Sequence, residues 1–388
     1  MKIETHVIQN FAPSCLNRDD TNTPKDCEFG GVRRARISSQ CIKRAVRQYF
    51  RDHSLCDVGT RTKRLKETLA PRLADLSASE EDLSAALNIF LETYYSKMDS
   101  KRPEETAVLL YIGEPELAEA EQCVRELWDD LVQAAGPAKK SAEGAAKKPK
   151  RRSLGADPEI SKRLRAAGLS PDIGLFGRML AELPGMNVEA ACQVAHAIST
   201  HRVDLEMDFY TAVDDLNPES ETGAGMMGVT HFNSACFYRY ALLDRDDLRR
   251  NLNGDSAVTD QAIAAFLEAW VHAIPTGKQN SMAAQNLPSL GLFVVREDGA
   301  PCSLANAFAA PVHVLPGRDE DLIGSSTQAL TDYWSKLQTV YGSDGIATLS
   351  LFHDGREARL GDLAPADKGS VRAALDATME AIRSSGGA

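Results

Sequence analysis

Between Arg33 and Arg51 the chain carries seven basic side chains, Arg33, Arg34, Arg36, Lys43, Arg44, Arg47 and Arg51, and no acidic one. An ordinary solvated helix interleaves both signs, because like charges four residues apart repel. Cations gathered this way can neutralise successive phosphates, gripping a nucleic acid without reading its bases. Ser38, Ser39 and Gln40 open the helical part of the run, where free backbone N–H groups favour phosphate. A basic solvated face and a protein-docking surface are the competing readings of the same residues.

Four other groupings carry less. His196 and His201, with Asp204 and Asp208, lie across a helix end rather than one turn apart, and no H-E-x-x-H pattern is present, so surface or interface roles are expected. Gly223–Gly228 fits the dinucleotide G-x-G-x-x-G pattern, but a strand-like run follows where a helix is needed, and the segment reads as a hairpin tip. Gly277-Lys278-Gln279 lacks the upstream glycine and the Ser/Thr of a phosphate-binding loop, which leaves Lys278 as a contact to RNA or to a neighbouring subunit. Eight cysteines without a CxxC or CxxH pair read as reduced interior thiols, and no metal or cofactor is expected.

The elements that must position these residues are strands and helices in mixture. Residues 2–9 alternate as a strand, a turn-rich polar loop follows, and residues 32–37 read as a second short strand. Ser38 or Ser39 can cap a helix to about His53, with Ile42, Val46 and Tyr49 or Phe50 on its apolar side. Residues 61–135 read as several helices, and 137–153 as a basic, low-complexity loop. DIGLFGRML (172–180) reads as a strand and NVEAACQVAHAIST (187–200) as a helix. Residues 201–243 read as a strand, a glycine-rich tip and a returning strand, and helices are expected over 257–274, 325–341 and 367–384. This mixture favours an α+β fold with a helical insertion over a doubly wound parallel sheet.

Composition permits such a protein to hold RNA. The net charge is −11, yet residues 1–152 carry 26 Lys/Arg against 24 Asp/Glu while residues 153–388 carry 18 against 31. A basic face on an acidic body can hold one strand while discouraging indiscriminate coating of DNA. No apolar run approaches the roughly 18 residues of a membrane span, and the first residues lack signal-peptide character, so no membrane association and a cytoplasmic location are expected.

Residue identity sharpens the reading. Ser14-Cys15-Leu16-Asn17-Arg18-Asp19-Asp20, Phe29-Gly30-Gly31, Arg33-Arg34, Arg36-Ile37-Ser38-Ser39-Gln40 and Lys43-Arg44-Ala45 resemble the opening of CasC proteins. CasC is the RAMP-superfamily backbone subunit of the type I-E CRISPR surveillance complex, Cascade. His196-Ala197-Ile198, Thr200-His201, Thr211-Ala212-Val213-Asp214-Asp215-Leu216, Phe237-Tyr238-Arg239-Tyr240 and Ser303–Phe308 continue the resemblance in order.

The resemblance implies an RRM-like (ferredoxin-like) palm, a helical finger insertion and a β-hairpin thumb. Its boundaries here are palm over 1–60, fingers over 61–170, palm again over 171–200, thumb over 201–231, and palm with C-terminal helices over 232–388. It further implies a non-catalytic subunit, about six copies of which coat a CRISPR RNA (crRNA) as a helical filament. Each copy kinks the guide at every sixth nucleotide and presents the rest to a target DNA strand, beside subunits of the CasA, CasB, CasD and CasE types. Palm contacts to RNA then fall on Arg18, Lys25, Ser38, Gln40, Lys43 and Arg47, with Lys278 nearby. Kink contacts fall on Met179, Tyr210, Thr211 and Val213, with Phe209 in the thumb. The rival is a type III-like backbone that cleaves target RNA through Asp19, Asp20 or Asp26. The first two are expected instead to hold their loop by salt bridges to Arg18.

Overall fold

The computed structural model describes residues 1–76, 79–136, 154–180, 182–216, 226–314, 321–355 and 360–385. The basic segment 137–153 and the tip 217–225, with the start of the Gly223–Gly228 motif, lie outside the described residues. The chain forms two compact units: Met1–Leu55 with Cys192–Asp246 and Asp260–Ala388, and Cys56–Ala191 with Asp247–Thr259. No helix among the described residues is long and apolar enough to cross a membrane.

Strands in chain order are β1 (Lys2–Ser14), β2 (Asp26–Phe29), β3 (Val32–Ile37), β4 (Thr60–Thr62), β5 (Leu110–Ile112) and β6 (Cys192–Val194). They continue with β7 (Ala197–Ser199), β8 (Glu206–Ala212), β9 (Met226–Asp244), β10 (Leu290–Arg296) and β11 (Ile346–His353). In the first unit nine of them form one sheet ordered β11-β10-β1-β9-β7-β3-β2, with β6 and β8 also paired to β9. Every ladder between these strands is antiparallel, which is the α+β arrangement the sequence favours.

Strand β1 lies in the interior of the sheet, between β10 and β9, and is buried on both faces. On one, Ile8 joins Tyr238, Leu292 and Val294 under Leu330 and Trp334 of the helix Leu322–Tyr341. On the other, Arg239 of β9 donates to the Trp270 carbonyl at 2.6 Å and lies 4.7 Å over its ring. Two of the polar side chains caught in this interior find partners there, which offsets the cost of burying them. Glu4 pairs with Arg296 and accepts from the Cys302 amide at 2.8 Å, and His6 Nδ1 lies 2.9 Å from the Tyr238 hydroxyl.

The second unit has its own helical core, in which Leu65, Leu69, Leu87, Phe90, Leu110, Val124 and Leu164 are buried. Beside it sits a buried ion pair, Arg178–Glu116 at 2.6 Å, with Arg178 also donating to the Tyr111 and Met186 carbonyls.

Three local expectations are corrected. DIGLFGRML is not a strand: Pro171–Phe176 is a short helix buried all round, so its apolar run shows no helical period. NVEAACQVAHAIST is not a helix, since β6 and β7 there pair with β9, and tertiary pairing overrides the helix propensity of Ala, Glu and Gln. His196 accordingly lies between two strands, not at a helix end. The polar loop after β1 also hides β2, which the turn Gly30-Gly31 closes onto β3.

Candidate nucleic-acid interface

Helix α1 (Ser39–Asp52) begins where the sequence predicts, because the Ser38 hydroxyl accepts from the Cys41 amide and caps it. Its buried side is Ile42, Ala45, Val46, Arg47 and Phe50. The Ser38 amide donates to Asn17 Oδ1 at 2.8 Å, and the Asn17 carbonyl accepts from the Lys25 amide at 2.9 Å. Asn17 thereby ties the loop carrying Arg18 and Lys25 to the start of the helix carrying Gln40 and Lys43. These are five of the six predicted palm contacts. Ser38 itself is buried by its capping role, Lys25 and Lys43 are half-buried, and Arg18 and Gln40 rim the surface.

The basic run is less uniform than its sequence. Arg34 is fully buried and donates to the Phe29, Ser199 and Phe308 carbonyls at 3.1, 3.2 and 2.7 Å. It points to the face of β3 covered by the Ser199 and Phe308 segments, opposite to its neighbour Arg33. Arg33 pairs with Asp26 at 2.9 Å, and Arg36 donates to the Asp26 carbonyl at 3.0 Å and to His196 Nδ1 at 3.1 Å. Arg47, expected at the RNA surface, is buried: it falls with Ile42, Val46 and Phe50 on the inner side of α1. Arg44 is exposed on the outer side and, with Arg18, lines a cleft of about 540 Å3 between α1, the 16–22 loop and residues 273–277. Sequence spacing could not separate Arg44 from Arg47, since both sit in the same acid-free run.

The loop aspartates are placed differently from expectation. Asp19 makes no salt bridge with Arg18. Its Oδ1 instead accepts from the Thr21 amide at 3.0 Å, the Thr21 hydroxyl at 2.8 Å and the Thr23 amide at 2.9 Å, while Arg18 donates to Asn22 Oδ1 at 2.6 Å. The Thr23 and Thr21 hydrogen bonds hold the Asp19 carboxyl below the usual carboxylate range. A depressed carboxyl stabilises this turn above the ordinary aspartate pKa, and the contribution is lost as pH falls through the folded value. The Thr21 and Thr23 amide NMR shifts are therefore expected to titrate together below the ordinary aspartate range, and not in Asp19→Asn. Shifts that titrate near the ordinary aspartate value, or that persist in the variant, would contradict this geometry.

The hairpin β8–β9 is the other half of the site. All of β8 is exposed, although four of its residues are apolar or aromatic. Its register pairs Met207 with His231, Phe209 with Val229 and Thr211 with Met227, and cross-strand partners share a face. That face is a stripe of exposed apolar side chains, with Phe209 59% exposed. The opposite face carries Tyr210 across from Gly228 and Asp208 across from Thr230. The Tyr210 ring lies against Gly228 so closely that a Cβ there would meet its Cζ at 2.4 Å. Tyr210 and Phe209 thus face opposite ways, and Val213 stands exposed just beyond the strand.

Met207, Met227 and Val229 were not singled out from sequence. The alternation in EMDFYTA (206–212) and the run MMGV (226–229) were the available signal. Met179 belongs to the second unit and is 85% exposed, immediately after the buried anchor Arg178. The histidines are structural: Cys236 N donates to His201 Nε2 at 3.2 Å, and burial with the Arg36 charge keeps His196 below its usual range.

Apolar and aromatic groups standing in water beside a loop-and-helix cradle of cations are what a flexible, base-bearing polyanion requires. A family model described as CT1975-like protein matches residues 3–379. Among solved structures, a chain of "CRISPR RNA-guided surveillance complex, pre-nicking" is 32% identical, with TM-score 0.83, covering 98% of this chain and 100% of that one. A chain of a second "CRISPR RNA-guided surveillance complex" is 26% identical, with TM-score 0.73 and the same coverage. No curated protein matches the sequence.

Proposed function

The chain belongs to the CT1975-like protein family, and from that premise we propose that it is the non-catalytic backbone subunit of a type I-E CRISPR surveillance complex. Several copies coat a crRNA as a helical filament in the cytoplasm, kink it every sixth nucleotide and offer the intervening bases to a target DNA strand. CasA-, CasB-, CasD- and CasE-type subunits complete the particle. The observation that carries this reading is the exposed apolar hairpin, extending from the same strand, β9, that forms the centre of the palm sheet. An apolar wedge tolerates any base, and the cations beside it grip phosphates of any sequence. The near-complete mutual coverage with two RNA-guided complexes supports it further.

The RNA-cleaving alternative is disfavoured by what the aspartates already do. One Asp19 oxygen takes three hydrogen bonds and Asp26 pairs with Arg33.

The test is binding of the purified chain to single-stranded RNA of several sequences across a salt series, with the mass of each complex measured. Affinity is expected to be nearly independent of sequence and to fall by about 0.7 log units per neutralised phosphate per decade of salt. Lys43→Ala and Arg44→Ala should each flatten that slope by somewhat under one unit. Arg47→Ala, a buried site, should act on stability instead. A guide tens of nucleotides long should carry several copies, because a head-to-tail interface with helical offset propagates. A single copy per guide, or slopes unchanged in both surface variants, would sink the proposal.

A further inference from the structure

The hairpin is a two-stranded ribbon, exposed along the whole of β8, and a two-stranded ribbon by itself is only marginally stable. Among the described residues, a side-chain hydrogen bond reaches it from outside: Lys278 Nζ donates to Thr230 Oγ1 at 2.8 Å. The backbone that delivers Lys278 is unusual. Lys278 is left-handed, with φ of 50°, and the turn Gln279–Met282 that follows ends at Ala283, again left-handed with φ of 47°. Side chains other than glycine keep this conformation only where their surroundings over-determine it.

The constraint is visible next door. A Cβ on Gly277 would stand 2.3 Å from the Leu16 carbonyl oxygen and 2.7 Å from that of Cys15, so the corner is pressed against the backbone just after β1. Past the corner, Gln279 Nε2 donates to the Pro275 and Ala284 carbonyls, closing the turn on itself. Lys278 is thus held from both sides and directed at the hairpin face that carries Tyr210 and Thr230.

We propose that Lys278 is a positioning residue: the strained Gly277–Ala283 corner fixes, through Thr230, the angle at which the hairpin leaves the palm sheet. This rests on the RNA-coating reading, because the angle sets where the hairpin meets successive stretches of guide. A cation serving only to grip phosphate needs neither a left-handed backbone nor a hydroxyl partner on the hairpin.

The experiment is hydrogen exchange on the full chain without RNA, followed by nuclease footprinting on RNA. In Thr230→Val, which removes only the acceptor, the β8 amides should exchange about tenfold faster, the loss of one hydrogen bond to a charged group. Thr230→Ser should behave as the parent, Lys278→Met should match Thr230→Val, and the double variant should be no worse than either single one. On RNA, Thr230→Val should keep overall affinity within about twofold, as for a surface change, yet lose the regular spacing of protected and cleaved positions.

Unchanged β8 exchange in both single variants overturns the proposal, as does an additive double variant. So does a Lys278→Met protein that loses affinity and salt slope while Thr230→Val changes neither exchange nor footprint, the signature of a phosphate grip. Failure of the parent chain to bind RNA would sink the coating function instead, while the exchange comparison would still decide the role of Lys278.

Discussion

Target DNA scanned with one mismatch at a time along a bound guide is expected to give a periodic affinity profile, not a smooth one. Met179 and the face built by Met207, Phe209, Val229 and Met227 expose apolar side chains that no described neighbour covers. A base displaced onto such a surface recovers about 1–3 kcal/mol of stacking whatever its identity. That position takes no part in pairing, so a mismatch there should be nearly free. A mismatch inside a paired block disturbs two stacking steps of about 1.4 kcal/mol each, roughly a hundredfold in affinity. The expected profile is therefore a run of costly positions interrupted at every sixth. Replacing Phe209 and Met207 together by Ala should weaken the interruption without abolishing RNA binding, since Arg18, Lys43 and Arg44 lie elsewhere. A profile without that period would remove the hairpin from the mechanism even if coating survived.

Arg34→Met is expected to destabilise the chain by about 3–5 kcal/mol, far more than its neighbour Arg33→Met. The Met stem fills much of the same volume, so the loss comes chiefly from the hydrogen bonds given up at the buried Ser199 and Phe308 carbonyls and at the part-buried Phe29 carbonyl. Each such group costs about 1–3 kcal/mol, partly relieved by relaxation. Arg33 is exposed, its ion pair with Asp26 is a surface one, and its loss should cost under about 1 kcal/mol. Urea denaturation at constant m-value separates the two. Similar midpoints for both variants would mean that Arg34 does not hold β3, the Ser199 end of β7 and the Phe308 segment together. Two adjacent arginines, indistinguishable in the sequence, would then have been wrongly divided between scaffold and surface.

That division is where sequence reading reached its limit. Helix α1 was legible because Ser38 supplies a cap and Ile42, Val46 and Phe50 recur at helical spacing. The hairpin was legible from its glycine-rich tip between two β-prone runs. The inward turn of Arg34 and Arg47 was not, because it depends on which segments cover β3 and which side of α1 the sheet covers. For Arg34 the covering segments, at Ser199 and Phe308, lie more than a hundred residues away. The short strands β6 and β7 failed for the same reason: Cys192-Gln193-Val194 and Ala197-Ile198-Ser199 are each too short to show a period and become strands because β9 lies beside them. The short Pro171–Phe176 helix, buried on every side, offers no amphipathic pattern to either template. By contrast β2 was recoverable, since Phe29-Gly30-Gly31-Val32 is an ordinary hairpin signal set among turn-forming residues.

The position of β1 has a consequence for how the protein is made. Its neighbours in the sheet, β9 and β10, follow it by as much as 236 and 292 residues, as the Thr5–Ala241 and Glu4–Arg296 contacts show. Synthesis at about 5–20 residues per second keeps this strand waiting for roughly 15 seconds to a minute before both partners have been made. During that time Ile3, Val7, Ile8 and Phe11, all buried in the finished sheet, have no native cover. Closing so long a loop is slow, and an unpaired apolar strand is a template for wrong pairing. Strand β1 is therefore exposed before its sheet partners exist, and cell-free yield should depend on chaperones that shield it until β9 and β10 can pair with it.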